Sequence, residues 1–156
     1  MELTGDELAG VVDLFGALTR TELGEALAEL SYRRDGQYEP DAFEADVVDA
    51  IDRYQLVALD GDHHETPLLV AGPGAFPTLP SGAGDLAHML DIETRQVGRS
   101  RAGEAVLGRF REDAAAAVAD GDRERVERLI DVSYELEAWT DVDLADERTL
   151  LDRVLE

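Results

Sequence analysis

Three amphipathic helices followed by two short apolar strands occupy the N-terminal part of the chain, and this order constrains the fold most strongly. The first helix opens with a capping box, in which the Thr4 hydroxyl accepts from the backbone of Glu7 and the Glu7 carboxylate accepts from the backbone of Thr4. Thr19 and Glu22 have the same spacing and predict the start of the second helix. Pro40 suits the first position of the third helix. Each predicted helix then carries apolar residues at helical spacing, so each has one side to bury.

The residue pattern changes from helix to strand after the third helix. Two apolar runs, Leu56–Leu59 and residues 68–70, flank an Asp-Gly-Asp turn at residues 60–62 and predict a β-hairpin. Three helices followed by a two-stranded wing resemble the winged-helix superfamily, and residues 47–60 resemble its recognition helix and wing strand. The resemblance implies a mainly α (α+β) fold, with a winged-helix-like three-helix module and a β-hairpin wing.

Composition divides the chain into three segments. We predict the winged-helix-like module at residues 1–71, an uncharged Gly/Pro-rich connector at residues 72–84, and a C-terminal helical extension at residues 85–156. The connector lacks the Gly-Lys-Ser/Thr ending of a phosphate-binding loop, and its prolines exclude a continuous helix through a membrane. We expect Phe76 and Leu79 to lie on the core of the first module and to hold the connector down.

The charge of the chain is strongly acidic. There are 36 acidic residues against 14 basic ones, a net charge of −22, and every basic residue is Arg because Lys is absent. Such crowding opposes folding in dilute buffer, whereas at molar salt the screening length falls to about 3 Å and the repulsion largely disappears. The acidic, Lys-free composition resembles cytosolic proteins of extreme halophiles. We therefore predict a halophilic protein that loses stability when molar salt is diluted.

Cysteine is absent from the chain. Its absence excludes disulfides, thiolate catalysis and Cys-type zinc sites. The first residues include Glu2, Asp6 and Glu7, where a signal peptide would carry basic residues before an apolar run. We predict a cytoplasmic protein with no membrane segment.

The third predicted helix has the wrong charge for reading DNA. A winged helix that enters the major groove presents Arg, Lys, Asn or Gln to bases and phosphates. Here Arg53 is the only base, and the other polar positions are acidic: Asp41, Glu44, Asp46, Asp49 and Asp52. Because nucleic-acid affinity depends on neutralising phosphates, we disfavour groove recognition by this helix.

The most basic stretch of the chain begins early in the C-terminal extension. Five arginines face a single acid, Glu104, which gives a local charge of +4, and we call them the arginine patch: Arg95, Arg99, Arg101, Arg109 and Arg111. This patch is the candidate for contact with nucleic acid or another polyanion. The alternative is that these arginines pair with the acidic N-terminal module and join the two halves. The sequence leaves both interpretations open.

Metal and catalytic chemistry have weak support. The adjacent pair His63 and His64 sits at the predicted hairpin tip, where one imidazole, a neighbouring carboxylate and either His88 or Asp91 would supply ligands for a divalent ion. Neighbouring strand residues point to opposite faces, however, which disfavours chelation by the pair. The serines lack a nucleophile-elbow motif. We predict neither an enzyme nor a cofactor.

Two phrases in the sequence, AFPTLP at residues 75–80 and YELEAW at residues 134–139, are similar to an uncharacterised haloarchaeal family. The family has no assigned activity, so the resemblance implies no functional residue. We predict a regulatory or adaptor role through protein–protein contacts with an unknown protein partner. The alternatives are a DNA-binding transcription regulator that uses the arginine patch and, less favoured, a metal-dependent enzyme. A homodimer through the C-terminal helices stays open.

Overall fold

Helices dominate the protein, and its strands form one small sheet. The computed structural model describes residues 3–34, 39–59 and 67–156. Contacts divide the chain into two units, Met1–Val97 and Gly98–Glu156. The first unit therefore takes in the connector and the residues that follow it up to Val97. No helix in these described ranges is both long and apolar enough to cross a membrane.

The first unit begins with the predicted helices. In chain order its elements are α1 Gly5–Phe15, β1 Leu18–Thr19, α2 Arg20–Arg34, α3 Pro40–Asp52, β2 Leu56–Leu59, β3 Leu68–Ala71 and α4 Leu86–Met89. Both capping boxes are present, since the hydroxyls of Thr4 and Thr19 each accept from the backbone N–H of the glutamate three residues later at 3.1 Å. The carboxylates of Glu7 and Glu22 accept from the threonine backbones at 3.1 and 2.9 Å. Pro40 occupies the first turn of α3, as predicted.

Three antiparallel strands form the sheet in the order β1-β3-β2. Leu18 of β1 lies opposite Leu69 of β3, and Leu56 of β2 lies opposite Ala71. The residue pattern predicts β2 and β3 but misses β1, because a two-residue strand is too short to show alternation. The predicted turn at residues 60–62 lies outside the described residues. The mainly α (α+β) class is confirmed.

One apolar core holds the first unit together. The buried stripe of α1 is the one that its spacing predicts: Leu8, Val11, Val12 and Phe15. The same cluster contains residues from the next two helices and the sheet, among them Leu23, Leu27, Leu30, Phe43, Val47, Leu56 and Leu69. Each such side chain contributes about 2 kcal/mol when it leaves water. The core therefore fixes the positions of α1, α2 and α3 relative to the sheet.

Backbone hydrogen bonds hold the connector against α1. The Thr78 backbone N–H donates to the Asp6 carbonyl oxygen at 3.0 Å, and the Phe76 backbone N–H donates to the Asp6 carboxylate at 3.0 Å. Phe76 is 82% exposed and Leu79 is 49% exposed. The expectation that these two side chains pack on the core is therefore wrong. The hydrogen bonds to Asp6 and the buried Ala83 hold the connector instead.

Three helices pack against one another in the second unit: α5 Arg99–Asp120, α6 Arg123–Trp139 and α7 Ala145–Leu155. Gly121 ends α5 in the left-handed conformation, with φ of 62°. The Asp122 carboxylate caps α6 by accepting from the Arg125 backbone N–H at 3.2 Å. Phe110 and Leu151 are fully buried inside the unit. Leu151 therefore offers no exposed apolar contact to a homodimer.

Candidate functional site

The exposed side of α3 presents a row of carboxylates. Phe43, Val47 and Ala50 are buried, so the opposite side of the helix lies in solvent. We call that side the acidic face of α3, and its exposed carboxylates are Asp41, Glu44, Asp49 and Asp52. Asp46 is half-buried at its margin.

Two arginines contact the acidic face without reversing its charge. Arg53 Nε lies 3.1 Å from Asp49 Oδ2, and Arg20 Nη1 on α2 bonds to Glu44 Oε1. Exposed pairs of this kind contribute only about 0–1 kcal/mol. Because four carboxylates face these two guanidinium groups, the surface stays acidic and repels phosphate.

Arg95 ties the end of the first unit to the turn between α1 and β1. Its Nη1 and Nη2 donate to the two carboxylate oxygens of Glu22 at 2.5 and 3.1 Å, and Nη1 also donates to the Ala17 carbonyl oxygen at 3.1 Å. Its backbone N–H donates to the Phe15 carbonyl oxygen at 2.8 Å. Gly16 has φ of 83°, and a Cβ there would lie 1.8 Å from the Arg95 carbonyl oxygen. The turn is therefore built around Arg95.

The bidentate contact shifts the titration of both partners. The hydrogen bond from Arg95 lowers the pKa of Glu22, against an opposing effect of partial burial. The hydrogen bond to Glu22 in turn raises the pKa of Arg95. The two side chains are only 23% and 21% exposed. Arg95 is therefore a structural link and does not present its charge to a ligand.

Arg99 and Arg101 lie in the first turn of α5. The Arg99 guanidinium lies 4.2 Å from the centroid of the Trp139 ring, and its Nη1 donates to the Trp139 carbonyl oxygen at 2.9 Å. Stacking of this kind is attractive because the ring face is negative. The Arg101 side chain is exposed. Arg99 thus joins the start of α5 to the end of α6.

Arg109 and Arg111 link α5 to carboxylates on its own and neighbouring helices. Arg109 Nε lies 3.3 Å from Asp113 Oδ2, while Asp113 Oδ1 lies 3.4 Å from Arg125 Nη2 on α6. Arg111 Nε lies 3.6 Å from Glu147 Oε1 on α7. These contacts connect the three helices of the second unit.

The arginine patch is therefore distributed over both units of the chain. Arg95 belongs to the first unit, and the other four arginines lie on α5 of the second. Arg95 pairs with the N-terminal module, as one of the two interpretations expects. Arg99, Arg109 and Arg111 contact residues of the second unit itself. Most of the positive charge in this stretch holds helices together.

A cluster centred on Arg148 joins α6 to α7, and reasoning from the sequence missed it. Arg148 donates to the two carboxylate oxygens of Glu137 at 2.8 and 3.1 Å and to Ser133 Oγ at 3.1 Å. Its guanidinium also lies 4.2 Å from the centroid of the Tyr134 ring. Glu137 accepts from the Leu144 backbone N–H at 2.8 Å as well. The one available signal was the YELEAW phrase, which contains Tyr134 and Glu137.

The pKa values of two glutamates on α6 are shifted in opposite directions. The hydrogen bond from Arg148 lowers the pKa of Glu137. Burial raises the pKa of Glu135, and the negative charge of Asp131 adds to that rise. The fold therefore stabilises the anionic form of Glu137 and disfavours the anionic form of Glu135.

An open cleft of about 850 Å³ lies between the start of α5 and the end of α6. Its lining includes Arg99 and Trp139 together with the acidic residues Glu104, Glu137 and Asp141. Arg99 is already bonded to Trp139, and Glu137 is bonded to Arg148 of α7. Arg99 and Glu137 of the cleft are thus used to join the helices.

Only one of the three histidines considered as weak candidates for a metal site lies in the described part of the chain. His88 is exposed on the short helix α4, whereas His63 and His64 lie outside the described residues. Among residues 3–34, 39–59 and 67–156, no group of three His, Asp or Glu side chains is placed to hold a metal ion. The described residues therefore contain no candidate metal centre.

The fold and its surfaces define a two-unit, mainly α (α+β) protein with a carboxylate-rich exterior. The chain belongs to a family of unknown function, DUF7109, whose model matches residues 6–156. The match spans both units, so the family is defined by the two together. Comparisons with curated proteins and with solved structures gave no match.

Proposed function

We propose that this protein is a regulatory or adaptor protein of the winged-helix type, which acts through protein–protein contacts made by its first unit. The observation that carries the proposal is the acidic face of α3. In the winged-helix arrangement that we propose, α3 is the helix that meets the target. Carboxylates on that helix favour a cationic protein surface over a nucleic acid.

The topology of the first unit supports the winged-helix assignment. Its order is helix, strand, helix, helix, strand, strand, and the short β1 pairs with β3 at the sheet edge opposite β2. The three helices share one core with the sheet. The sequence resemblance rests on the helices and the hairpin, and β1 is an additional element in the same arrangement.

The contacts of the arginines support protein binding over DNA binding. Arg53, the base of the α3 region, pairs with Asp49. Within the arginine patch, Arg95 is shielded by Glu22, and Arg99 is stacked on Trp139. A DNA-binding surface needs several guanidinium groups directed at phosphates. The contacts made by these arginines direct them at groups of the protein itself.

The composition supports a proposed location in a cytoplasm that accumulates salt. A net charge of −22 without Lys is tolerated where the screening length is about 3 Å. Under those conditions long-range steering by charge is lost, and only groups in contact contribute to recognition. The partner must then make direct ion pairs and apolar contacts with the first unit.

Titration with duplex DNA tests the proposal directly. The full chain is added to a fluorescent duplex at two salt concentrations, and anisotropy is measured for the wild type and for Arg53→Ala. We expect no sequence-selective binding in either case, because the acidic face repels phosphates. Tight, selective binding that disappears in Arg53→Ala would overturn the proposal. A selective affinity lost only in an Arg99→Ala, Arg101→Ala variant would establish the transcription-regulator alternative.

A positive test uses displayed random peptides selected on the full chain at molar salt. We expect the recovered sequences to be rich in Arg and Lys. Their affinity should fall about tenfold, or about 1.4 kcal/mol, in an Asp49→Asn, Asp52→Asn variant. A control variant, Glu127→Gln on the exposed side of α6, should bind them as the wild type does. Failure to recover any cationic peptide would count against an adaptor role.

A further inference from the structure

The connector displays a short apolar segment in solvent. Residues 76–79, with the sequence FPTL, are all exposed, and they include Phe76 at 82% and Leu79 at 49%. Full burial of a Phe or a Leu side chain contributes about 2 kcal/mol, so leaving both in water forgoes a substantial stabilisation. Large exposed apolar patches on folded proteins are typical of interaction sites. We call residues 76–79 the FPTL segment.

The FPTL segment is held in one conformation at both ends. Asp6 accepts from the backbone N–H groups of both Phe76 and Thr78 at 3.0 Å. The Thr78 hydroxyl donates to the Phe76 carbonyl oxygen at 3.0 Å, and Pro80 is buried directly after the segment. α1 makes room for it at Gly10, where a Cβ would lie 2.1 Å from the Thr78 carbonyl oxygen. A partner that binds the segment has little conformational entropy left to remove.

The first turn of α1 and the C-terminal end of α3 both lie beside the chain at the FPTL segment. Asp6 and Glu7 lie in the first turn of α1, on which the segment rests. Two residues before the segment, a Cβ on Gly74 would lie 2.4 Å from the Arg53 carbonyl oxygen at the end of α3. Two residues of chain reach at most about 7 Å, so Phe76 lies close to the end of the acidic face of α3. The connector therefore passes the C-terminal end of α3 just before the apolar segment begins.

This arrangement selects one kind of occupant. A second copy of the chain would bring the carboxylates of α1 beside this segment against their own copies, and like charges in direct contact oppose association. A groove that reads two exposed prolines three positions apart does not fit either, because Pro80 is buried. What remains complementary is an apolar pocket with Arg or Lys at its rim.

We propose that the FPTL segment is the apolar anchor of the protein, and that Phe76 and Leu79 insert into an apolar pocket of a partner protein whose rim carries Arg or Lys. The inference rests on the proposed adaptor function and names the chemistry of its partner. The acidic face of α3 pairs with the cationic rim, and the FPTL segment fills the pocket. Anchors of this type dominate the affinity of protein interfaces.

The test uses cationic peptides selected on the full wild-type chain at molar salt as the probe. Their dissociation constants are measured for the wild type, for a Phe76→Ser, Leu79→Ser variant and for Leu150→Ser. Leu150 is 52% exposed on α7 and serves as the matched control. We expect at least tenfold weaker binding in the double variant and no change in Leu150→Ser. The recovered peptides should combine aromatic or aliphatic residues with Arg or Lys.

The outcomes separate this inference from the adaptor function. If binding falls in Asp49→Asn, Asp52→Asn but is unchanged in the double Ser variant, the adaptor role stands and the anchor is overturned. If no cationic peptide binds the chain, both are overturned. Self-association seen by light scattering and abolished by Phe76→Ser would assign the segment to a second copy and overturn the proposal.

Thermal unfolding shows whether the double Ser variant keeps the stability of the wild-type fold. Because both side chains are exposed, the double Ser variant should melt within about 2 °C of the wild type. A drop of many degrees would show that Phe76 and Leu79 pack inside the protein. That result would also overturn the anchor.

Discussion

The two units hold their helices together by different means. In the first unit, large apolar side chains from α1, α2, α3 and the sheet meet in one core, with Phe15, Leu27 and Leu56 at its centre. In the second unit the buried side of α5 is built largely from small residues such as Ala102 and Ala117. There arginine–carboxylate contacts also connect all three helices, whereas in the first unit the contact of Arg20 with Glu44 joins only α2 to α3.

This difference shows how positive charge is used in a chain without Lys. Arg111, Arg125 and Arg148 each contact a carboxylate on another helix of the second unit. A local excess of arginines in the sequence therefore marks structural links between helices. Function has to be sought where the chain exposes groups that its own fold does not use, and the first unit has such groups on α3 and on the connector.

The largest difference in stability between the two units should follow from replacement of a glycine in each. Gly16→Ala places a side chain at φ of 83° and 1.8 Å from the Arg95 carbonyl oxygen, whereas Gly121→Ala meets no atom within 4 Å at φ of 62°. We expect the first change to cost about 3–5 kcal/mol of unfolding free energy and the second about 1 kcal/mol. Chemical denaturation at molar salt, followed by circular dichroism, measures both. Equal losses would show that the turn at Gly16 adapts freely.

Acid should weaken the first unit through Glu22. Its lowered pKa stabilises the fold above the ordinary Glu value of about 4.3, and that contribution is lost as pH falls through the lowered value. Glu22→Gln should therefore cost about 1–2 kcal/mol at pH 7 and reduce the further loss in acid. Glu25→Gln, exposed on the same helix, is the control. Unfolding curves that coincide for Glu22→Gln and the wild type at pH 7 would remove Arg95 as a link.

The smallest effect should have the opposite sign and lie in the second unit. The pKa of Glu135 is raised by burial and then by Asp131, so its favourable contribution is present below the ordinary Glu value and is lost as pH rises through the raised value. Glu135→Gln should therefore stabilise the unit at pH 7, by less than about 0.5 kcal/mol. Fluorescence of Trp139, the single Trp of the chain, follows unfolding of this unit. Destabilisation at pH 7 would contradict the assignment.

Local sequence signals predicted much of the first unit. The capping boxes at Thr4 and Thr19 set the starts of α1 and α2, and apolar spacing set their buried sides, because both signals depend on residues close in the chain. β1 escaped detection because it exists only through its pairing with β3. Such a pairing joins residues about fifty positions apart.

The candidate surfaces were only partly predictable. The carboxylates of α3 follow from helical spacing alone, and the structure exposes four of them. The partners of the arginines could not be predicted, because 36 acidic residues offer too many choices. The orientation of Phe76 was predicted wrongly, since a large apolar side chain usually packs inward. In this chain the backbone bonds to Asp6 decide its position instead.

Asp6 thus has a consequence for the integrity of the protein that reaches far along the chain. Asp6, in the first turn of α1, restrains the connector about seventy positions later, through both its carboxylate and its backbone carbonyl. Removal of the residues up to and including Asp6 would release the connector and expose it to proteases. Resistance of the connector to digestion therefore depends on Asp6.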